Sequence, residues 1–265
     1  MKIGFIGAGN MASAIIKGAV SSGAFSASDI LVSDMDKAKT AALESSLGVT
    51  AAESNEALVT ASDVVVLAVK PNVFPMLLPA LSAKLKEKNP LIISIAAGKT
   101  IEFIASLLSY DAAIVRVMPN INATVLEAMS AYCANENVTD EQKALTEKLC
   151  ASFGKVMPLS EDFFPLFGVI AGCSPAFSYM FIDALARAGV KNGMAKQAAL
   201  KIAAQAVYGS AKQILENDTH PWELIDRVCS PGGTTIEGVA SLQEDGLDAA
   251  VTHAVEAALD KDKRI

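Results

Sequence analysis

The most constraining feature lies at the amino terminus. A β-branched run, Lys2–Ile6, leads without a spacer into Gly7-Ala8-Gly9-Asn10-Met11-Ala12, and a helical pattern, Met11–Ser22, follows. A Gly-x-Gly-x-x-Ala turn between a strand and a helix fits a dinucleotide. The first glycine allows the tight turn, the second lets backbone approach a pyrophosphate, and the alanine keeps helix close to sheet. Amides at the helix start then face the phosphates. The same turn also occurs as a plain strand-to-helix connection in other doubly wound folds, so its surroundings must decide.

Those surroundings alternate. Further β-branched runs at Ile30–Ser33, Val64–Val69, Leu91–Ile95 and Ala113–Val117 are separated by helical patterns at Lys37–Leu47, Phe74–Lys86 and Ile101–Leu108. Strands that are apolar almost throughout, alternating with helices, indicate an α/β fold, a doubly wound parallel sheet covered on both faces. Ser130–Ala134 and Lys155–Pro158 extend the sheet with a change of direction around a helix from Thr139 to Ser152. Thr139, Asp140 and Glu141 supply the cap and acidic first turn of that helix. From Asp162 onward no strand pattern recurs, and Ala176–Gly189, Met194–Glu216 and Leu247–Asp260 read as helices. The expected division is a nucleotide-binding domain over 1–160 and an all-helical domain over 161–265. Met194–Glu216 is apolar around much of its circumference, which predicts burial on most sides. About 100 residues can scarcely bury such faces alone, so a twofold partner subunit is expected.

Composition excludes several classes. The net charge is −7, and the only basic cluster is the short end Lys261-Asp262-Lys263-Arg264. Nucleic-acid binding and a polybasic membrane anchor therefore find no support. The positive mean hydropathy raises a membrane span; the reading here is that no apolar stretch of 18 or more residues runs free of charges. Cys133, Cys150, Cys173 and Cys229 are scattered, and His220 and His253 form no ligand pair, so no metal is expected. Such cysteines suit reduced thiols in the cytoplasm.

Several side chains border the expected crevice. Ser33 and Asp34 close the second strand, about 20 residues beyond the glycine turn, where an acid bonds the ribose and selects NAD. A one-residue shift would turn Ser33 to the ribose and Asp34 away, so NAD and NADP stay open. Ala68-Val69-Lys70-Pro71 and Ile95-Ala96-Ala97-Gly98 end two strands at the ligand edge of the sheet. Lys70 reads either as a cofactor contact or as a solvated loop charge. In the second half, Ser230-Pro231-Gly232-Gly233 ends one helix and Thr234-Thr235 can begin another. Such a turn aims amides and hydroxyls at one point, as a carboxylate site does, and it serves equally as a rigid connector with capping threonines.

Taken end to end, the Gly-x-Gly-x-Met-Ala turn, Ala68–Pro71, Arg116-Val117-Met118-Pro119-Asn120, Ser174-Pro175-Ala176 and Ser230–Thr235 resemble the pyrroline-5-carboxylate reductase family. The resemblance implies a Rossmann domain, a helical dimerisation domain, active sites using both subunits, and in some members larger rings of dimers. It implies NADP(H), or NAD(H), bound by Gly7–Ala12, with Ser33 and Asn55 at the adenine ribose or its phosphate, beside the Asp34 that the residues themselves single out. It puts Ala68–Pro71 and Ala96–Gly98 beside the nicotinamide. Ser230, Gly232, Gly233, Thr234 and Thr235 would hold the substrate carboxylate and ring nitrogen, with Asp218 nearby and Thr235 as the catalytic hydroxyl. The implied reaction reduces (S)-1-pyrroline-5-carboxylate to L-proline, the last step of proline synthesis. The chain departs from the family pattern at Ile121-Asn122, where Thr-Pro is usual, at Ser174 and at Asp218. No arginine follows Ser33-Asp34, which bears on NADP preference. Three rivals share the plan: a reductase of another cyclic imine, a β-hydroxyacid dehydrogenase, and a non-enzymatic NAD(P) sensor. The second needs a lysine in its helical half, and Val169–Ser174 offers none.

Overall fold

The computed structural model describes residues 1–263; Arg264, which closes the short basic end, and Ile265 lie outside them. The chain forms two compact units, Met1–Gly172 and Cys173–Ile265.

The first unit is built on eight strands: β1 (Ile3–Ile6), β2 (Ile30–Ser33), β3 (Thr50–Ala51), β4 (Val64–Leu67), β5 (Leu91–Ser94), β6 (Ile114–Met118), β7 (Ala128–Ala134) and β8 (Gly154–Pro158). They lie in the order β3-β2-β1-β4-β5-β6-β7-β8. Strands β1 to β6 are parallel, β7 runs antiparallel to β6, and β8 is parallel to β7. Order 3-2-1-4-5-6 is that of two mononucleotide-binding halves, and its switch point falls between β1 and β4. The helices of this unit are α1 (Asn10–Ser21), α2 (Lys37–Leu47), α3 (Asn55–Ala61), α4 (Phe74–Lys88), α5 (Ile101–Ser106), α6 (Asp140–Ala151) and the single turn α7 (Phe164–Phe167).

Strand periodicity divides the core. Ile3, Phe5, Ile30, Val32, Val64, Val66, Leu91 and Ile93 face one side, where they pack with α1 and α6 residues such as Ile15, Ile16 and Leu149. Ile6, Leu31, Val65, Leu67 and Ile92 face the other, against Leu58, Leu78, Leu81 and Ile104. Both faces are covered, which is why the strands carry no polar alternation. The entry to α6 forms as the sequence indicates. Thr139 accepts from the Gln142 amide, and the Gln142 side chain accepts from the Thr139 amide.

Beyond β8 no strand occurs among the described residues, and helices are joined by short connections. A π-helical turn, Gly168–Cys173, leads into α8 (Ser174–Lys191), followed by α9 (Lys196–Glu216), α10 (Pro221–Val228), α11 (Thr234–Glu244) and α12 (Leu247–Asp262). One expectation needs correction. Residues 163–182 contain no charged side chain, and the helical stretch Glu161–Lys191, which holds an 18-residue window of mean hydropathy 1.5, is long and apolar enough to cross a membrane by length and composition. Serines, a proline and a tyrosine within it hid the run from a search for apolar residues alone. Helix α9 is not buried on most sides within the chain. Ala199 and Ala203 are its buried residues, packed with Ala186 and Ile182 of α8, while Leu200, Ile202 and Tyr208 are exposed.

Candidate active site

Glycine geometry separates a folding role from a binding role inside the nucleotide turn. Gly7 has φ +110°, and a Cβ there would stand 2.6 Å from the Ala68 carbonyl oxygen. Its amide donates to the Ser33 carbonyl at 2.7 Å, and the Ala68 amide donates to the Ile6 carbonyl at 2.8 Å. Gly7 is therefore glycine because β1, β2 and β4 converge there. Gly9 differs. Its φ is −73°, within reach of any residue, and a Cβ would meet nothing within 4 Å. The fold does not require this glycine, whereas a phosphate seated on the start of α1 would. No side chain caps α1, and its first turn contains no acid, so its leading amides keep their attraction for an anion. Ala12 is buried against the sheet. The cradle fits a pyrophosphate.

Asp34 faces this turn. Its Oδ2 accepts from the Ala8 amide at 2.7 Å and its Oδ1 from the Asp36 amide at 2.8 Å. Ser33 is the last residue of β2 and is buried. Asn55 opens α3 directly after Ser54, whose hydroxyl caps the helix. Ala68–Pro71 follow β4: Ala68 and Val69 are partly covered, and Lys70 is exposed. Ala96 is buried, while Ala97 and Gly98 lie in the exposed turn after β5, with Gly98 at φ +69°. These segments lie at or after the carboxyl ends of β1 to β5 on one edge of the sheet, the side where open α/β sheets take ligands.

Two buried polar groups in this unit escaped the functional reading of the sequence. Arg116, only 5% exposed, donates to Glu161 at 2.9 Å and lies over the Phe164 ring at 4.5 Å. The same Glu161 oxygen accepts from the Ile101 amide at the start of α5. Asn120 donates to the Ala171 carbonyl in the π-helical turn and accepts from the Met129 amide. The available signal was an arginine within the apolar run Ile114–Met118. Burial, aided by Glu161 and opposed by Arg116, pushes the neighbouring Cys133 thiol up to about 12, so it is protonated at neutral pH.

In the second unit, Ser230–Gly233 is a tight turn. The Gly233 amide donates to the Ser230 carbonyl at 2.9 Å, Pro231 is the second residue, and Gly232 has φ +65°. Proline followed by a left-handed glycine is the pattern of a type II turn. A Cβ on Gly233 would strike the Ser230 hydroxyl oxygen. Gly233 precedes α11 without a side-chain cap, so Thr234 and Thr235 occupy the helix's first turn, exposed. An exposed pair of hydroxyls beside uncapped amides can receive a carboxylate. Asp218 is exposed between α9 and α10. No group of acids, cysteines and histidines able to hold a metal occurs among the described residues.

A doubly wound sheet with an uncapped glycine cradle at its switch point, followed by a helical unit, defines a Rossmann-type nucleotide-binding protein. Residues 2–98 match the family described as NADP oxidoreductase coenzyme F420-dependent, and residues 161–265 match pyrroline-5-carboxylate reductase dimerisation. The pyrroline-5-carboxylate reductase of Escherichia coli is 42% identical over 100% of this chain and 98% of its own. A Coxiella burnetii pyrroline-5-carboxylate reductase structure superposes with a TM-score of 0.94 at 33% identity, covering 99% and 97% of the two chains. A Plasmodium falciparum pyrroline carboxylate reductase with NADP bound gives 0.86 at 31% identity, covering 100% and 97%. The chain belongs to the pyrroline-5-carboxylate reductase family and is an oxidoreductase.

Proposed function

We propose that the chain reduces the C=N bond of (S)-1-pyrroline-5-carboxylate to give L-proline, completing proline biosynthesis. The observation that carries this reading is the 42% identity to the Escherichia coli enzyme over the whole length of the chain. In this reading residues 1–160 bind the cofactor and 161–265 hold the substrate. The reductant is NADP(H), on the strength of the matched family and the NADP-bound relative, with NAD(H) as the alternative. Bound in the crevice, the dihydronicotinamide supplies a hydride to the imine carbon.

The chain's own residues orient the reactants. Gly7–Ala12 seat the pyrophosphate on α1, Ser33, Asp34 and Asn55 border the adenosine end, and Ala68–Pro71 and Ala96–Gly98 leave room for the nicotinamide. Ser230, Gly232, Gly233 and Thr234 receive the substrate carboxylate, with Asp218 close by. The Thr235 hydroxyl hydrogen-bonds the ring nitrogen as it becomes an amine. A cyclic imine is readily protonated, so no strong acid is needed.

A homodimer through the helical unit is part of the proposal. The apolar side chains exposed on that unit, among them Tyr179, Met180, Ile202, Leu215 and Val251, are what a partner would cover, and the matched dimerisation family supports it. Glu161–Lys191 then contributes its apolar length to a protein interface rather than a membrane. Larger rings of dimers, and a cytoplasmic location suited to four free cysteines, complete the reading. The test is consumption of NADPH and of NADH with the cyclic imine as acceptor, with chiral analysis of the product. L-proline formed in step with cofactor oxidation is expected; no oxidation with either cofactor overturns the proposal and favours a nucleotide sensor.

A further inference from the structure

We infer that Glu161 is a positioning residue for the reduction: its carboxylate, clamped by the buried Arg116, anchors the far end of the turn Ala96–Thr100, beside which the nicotinamide half of the cofactor lies. This goes beyond the proposed function and rests on the place that reading gives the nicotinamide.

The turn has little to hold it by itself. It leaves the sheet where the Ile95 amide donates to the Leu67 carbonyl at 3.2 Å, and Ala97, Gly98 and Thr100 are exposed. It ends at α5, a helix of six residues with Ile104 as its buried residue. So short a helix is not stable alone. The Thr100 hydroxyl caps it locally, accepting from the Phe103 amide at 3.1 Å. The tie to the rest of the unit comes from the Ile101 amide, which donates to Glu161 Oε1 at 2.9 Å across 60 residues of chain. This acceptor is itself fixed. The same oxygen accepts from Arg116 Nη1 at 2.9 Å, and the guanidinium lies 4.5 Å from the centre of the Phe164 ring. Arg116 pairs in register with Ser94, the last residue of β5, so the arginine sits beside the strand end from which the turn departs. A buried ion pair adds little stability over an apolar pair of equal volume. What an apolar pair lacks is a rigid, charged acceptor for an amide. The turn is thus held at both ends, by β4 through Ile95 and by β6 through Arg116 and Glu161. Hydride transfer is steep in distance, and about 1 Å of misplacement can cost about 100-fold.

Ile101→Pro tests the anchor with the ion pair left in place. Ile101 is the first residue of α5, a position that tolerates proline. Thr100, at φ −76° and ψ 162°, already has the extended conformation that suits a following proline. The substitution removes the one amide that Glu161 accepts. The full chain is compared as wild type, Ile101→Pro, Glu161→Ala, Glu161→Gln and Leu149→Ala, the last a core truncation on the opposite face of the sheet. Dissociation constants are measured for NADPH and NADH, which carry the nicotinamide, and for 2′-phospho-ADP-ribose and ADP-ribose, which lack it. Stopped-flow absorbance gives the single-turnover rate with the cyclic imine. Ile101→Pro and Glu161→Ala should lower that rate at least about tenfold and weaken the reduced cofactor at least about threefold, with the ligand lacking nicotinamide bound within about twofold of wild type. Glu161→Gln keeps a carbonyl acceptor for both donors and should recover most of the loss. Leu149→Ala should lower urea stability and leave the rate and the affinity ratio unchanged. Where Glu161→Ala folds poorly, Ile101→Pro decides. A wild-type rate and ratio in Ile101→Pro, equal weakening of ligands with and without nicotinamide, no recovery in Glu161→Gln, or the same selective loss in Leu149→Ala overturns the inference. If wild type binds cofactor but reduces no imine, the proposed reduction fails and the affinity ratio alone decides the anchor. If wild type binds none of the four ligands, both fail.

Discussion

Gly7 and Gly9 lie two residues apart in one motif, and the structure predicts opposite consequences for the same substitution at each. In Gly7→Ala the new Cβ would stand 2.6 Å from the Ala68 carbonyl oxygen and 2.7 Å from its carbon. Both are backbone atoms following β4, where no side-chain rotation relieves the clash. The φ of +110° adds strain of about 1–3 kcal/mol, and forcing a methyl into packed space adds about 1–3 kcal/mol. A loss of about 4 kcal/mol is therefore expected. In Gly9→Ala the backbone is already in an ordinary region and the methyl meets nothing. The cost is that of alanine replacing glycine at a helix start, at most about 1 kcal/mol. The methyl nonetheless stands where a phosphate must approach, so cofactor affinity should fall at least about tenfold, roughly 1.4 kcal/mol. Urea unfolding followed by circular dichroism measures the first quantity, and NADH or NADPH fluorescence titration the second. A Gly9→Ala protein binding cofactor within twofold of wild type would refute the assignment of that glycine to the ligand. A Gly7→Ala protein losing less than about 1 kcal/mol would refute the convergence argument.

Other outcomes follow from the same physical reasoning. Thr235→Ala should lower turnover about tenfold, the value of one hydrogen bond, with cofactor affinity unchanged; an unaltered steady-state rate removes the hydroxyl from the mechanism. Arg116→Leu leaves Glu161 partly buried without its cation and should cost about 3 kcal/mol in urea unfolding, against under 1 kcal/mol for the exposed Lys84→Ala control. Burial pushes Cys150 and Cys133 up to about 12 from an ordinary 9. The unfolded chain then releases these protons first, so stability is fully present below pH 9 and falls as pH rises toward 12. Urea midpoints between pH 8 and 10.5 should decline, and less steeply in Cys150→Ala; a flat profile contradicts the buried-thiol account. Sedimentation equilibrium should give a dimer or a multiple of it, and a monomer at micromolar concentration would contradict the role given to the exposed apolar faces.

The sheet was legible because its strands are buried on both faces and thus read as apolar runs; observed ends differ from the expected ones by no more than two residues. Strand β3 was not legible, since Thr50–Ala51 is two residues long and incompletely buried. Helices α3 and α10 are seven and eight residues long, too short for a periodic stripe to stand out from loop composition. The glycine turn announced the cradle and already gave Gly7 to the turn and Gly9 to the ligand; what sequence could not show is that the backbone of Ala68, arriving from another strand, closes the space around Gly7 and leaves Gly9 open. The Asp34 orientation was hidden for the same reason: it is set by the register between β1 and β2, not by local spacing. Turn Ser230–Gly233 was readable because proline and a left-handed glycine impose a local geometry that needs no tertiary partner. What sequence could not supply was the environment of α9, which among the described residues buries Ala199 and Ala203 against α8 and leaves Leu200, Ile202 and Tyr208 exposed.

Isotope transfer tests the reduction itself most directly. With NADH or NADPH carrying deuterium in both C4 positions, the imine substrate and the purified protein, the account predicts L-proline with one deuterium at C5 for each cofactor oxidised. Proline without deuterium, or cofactor oxidised with no label reaching the ring, would contradict it.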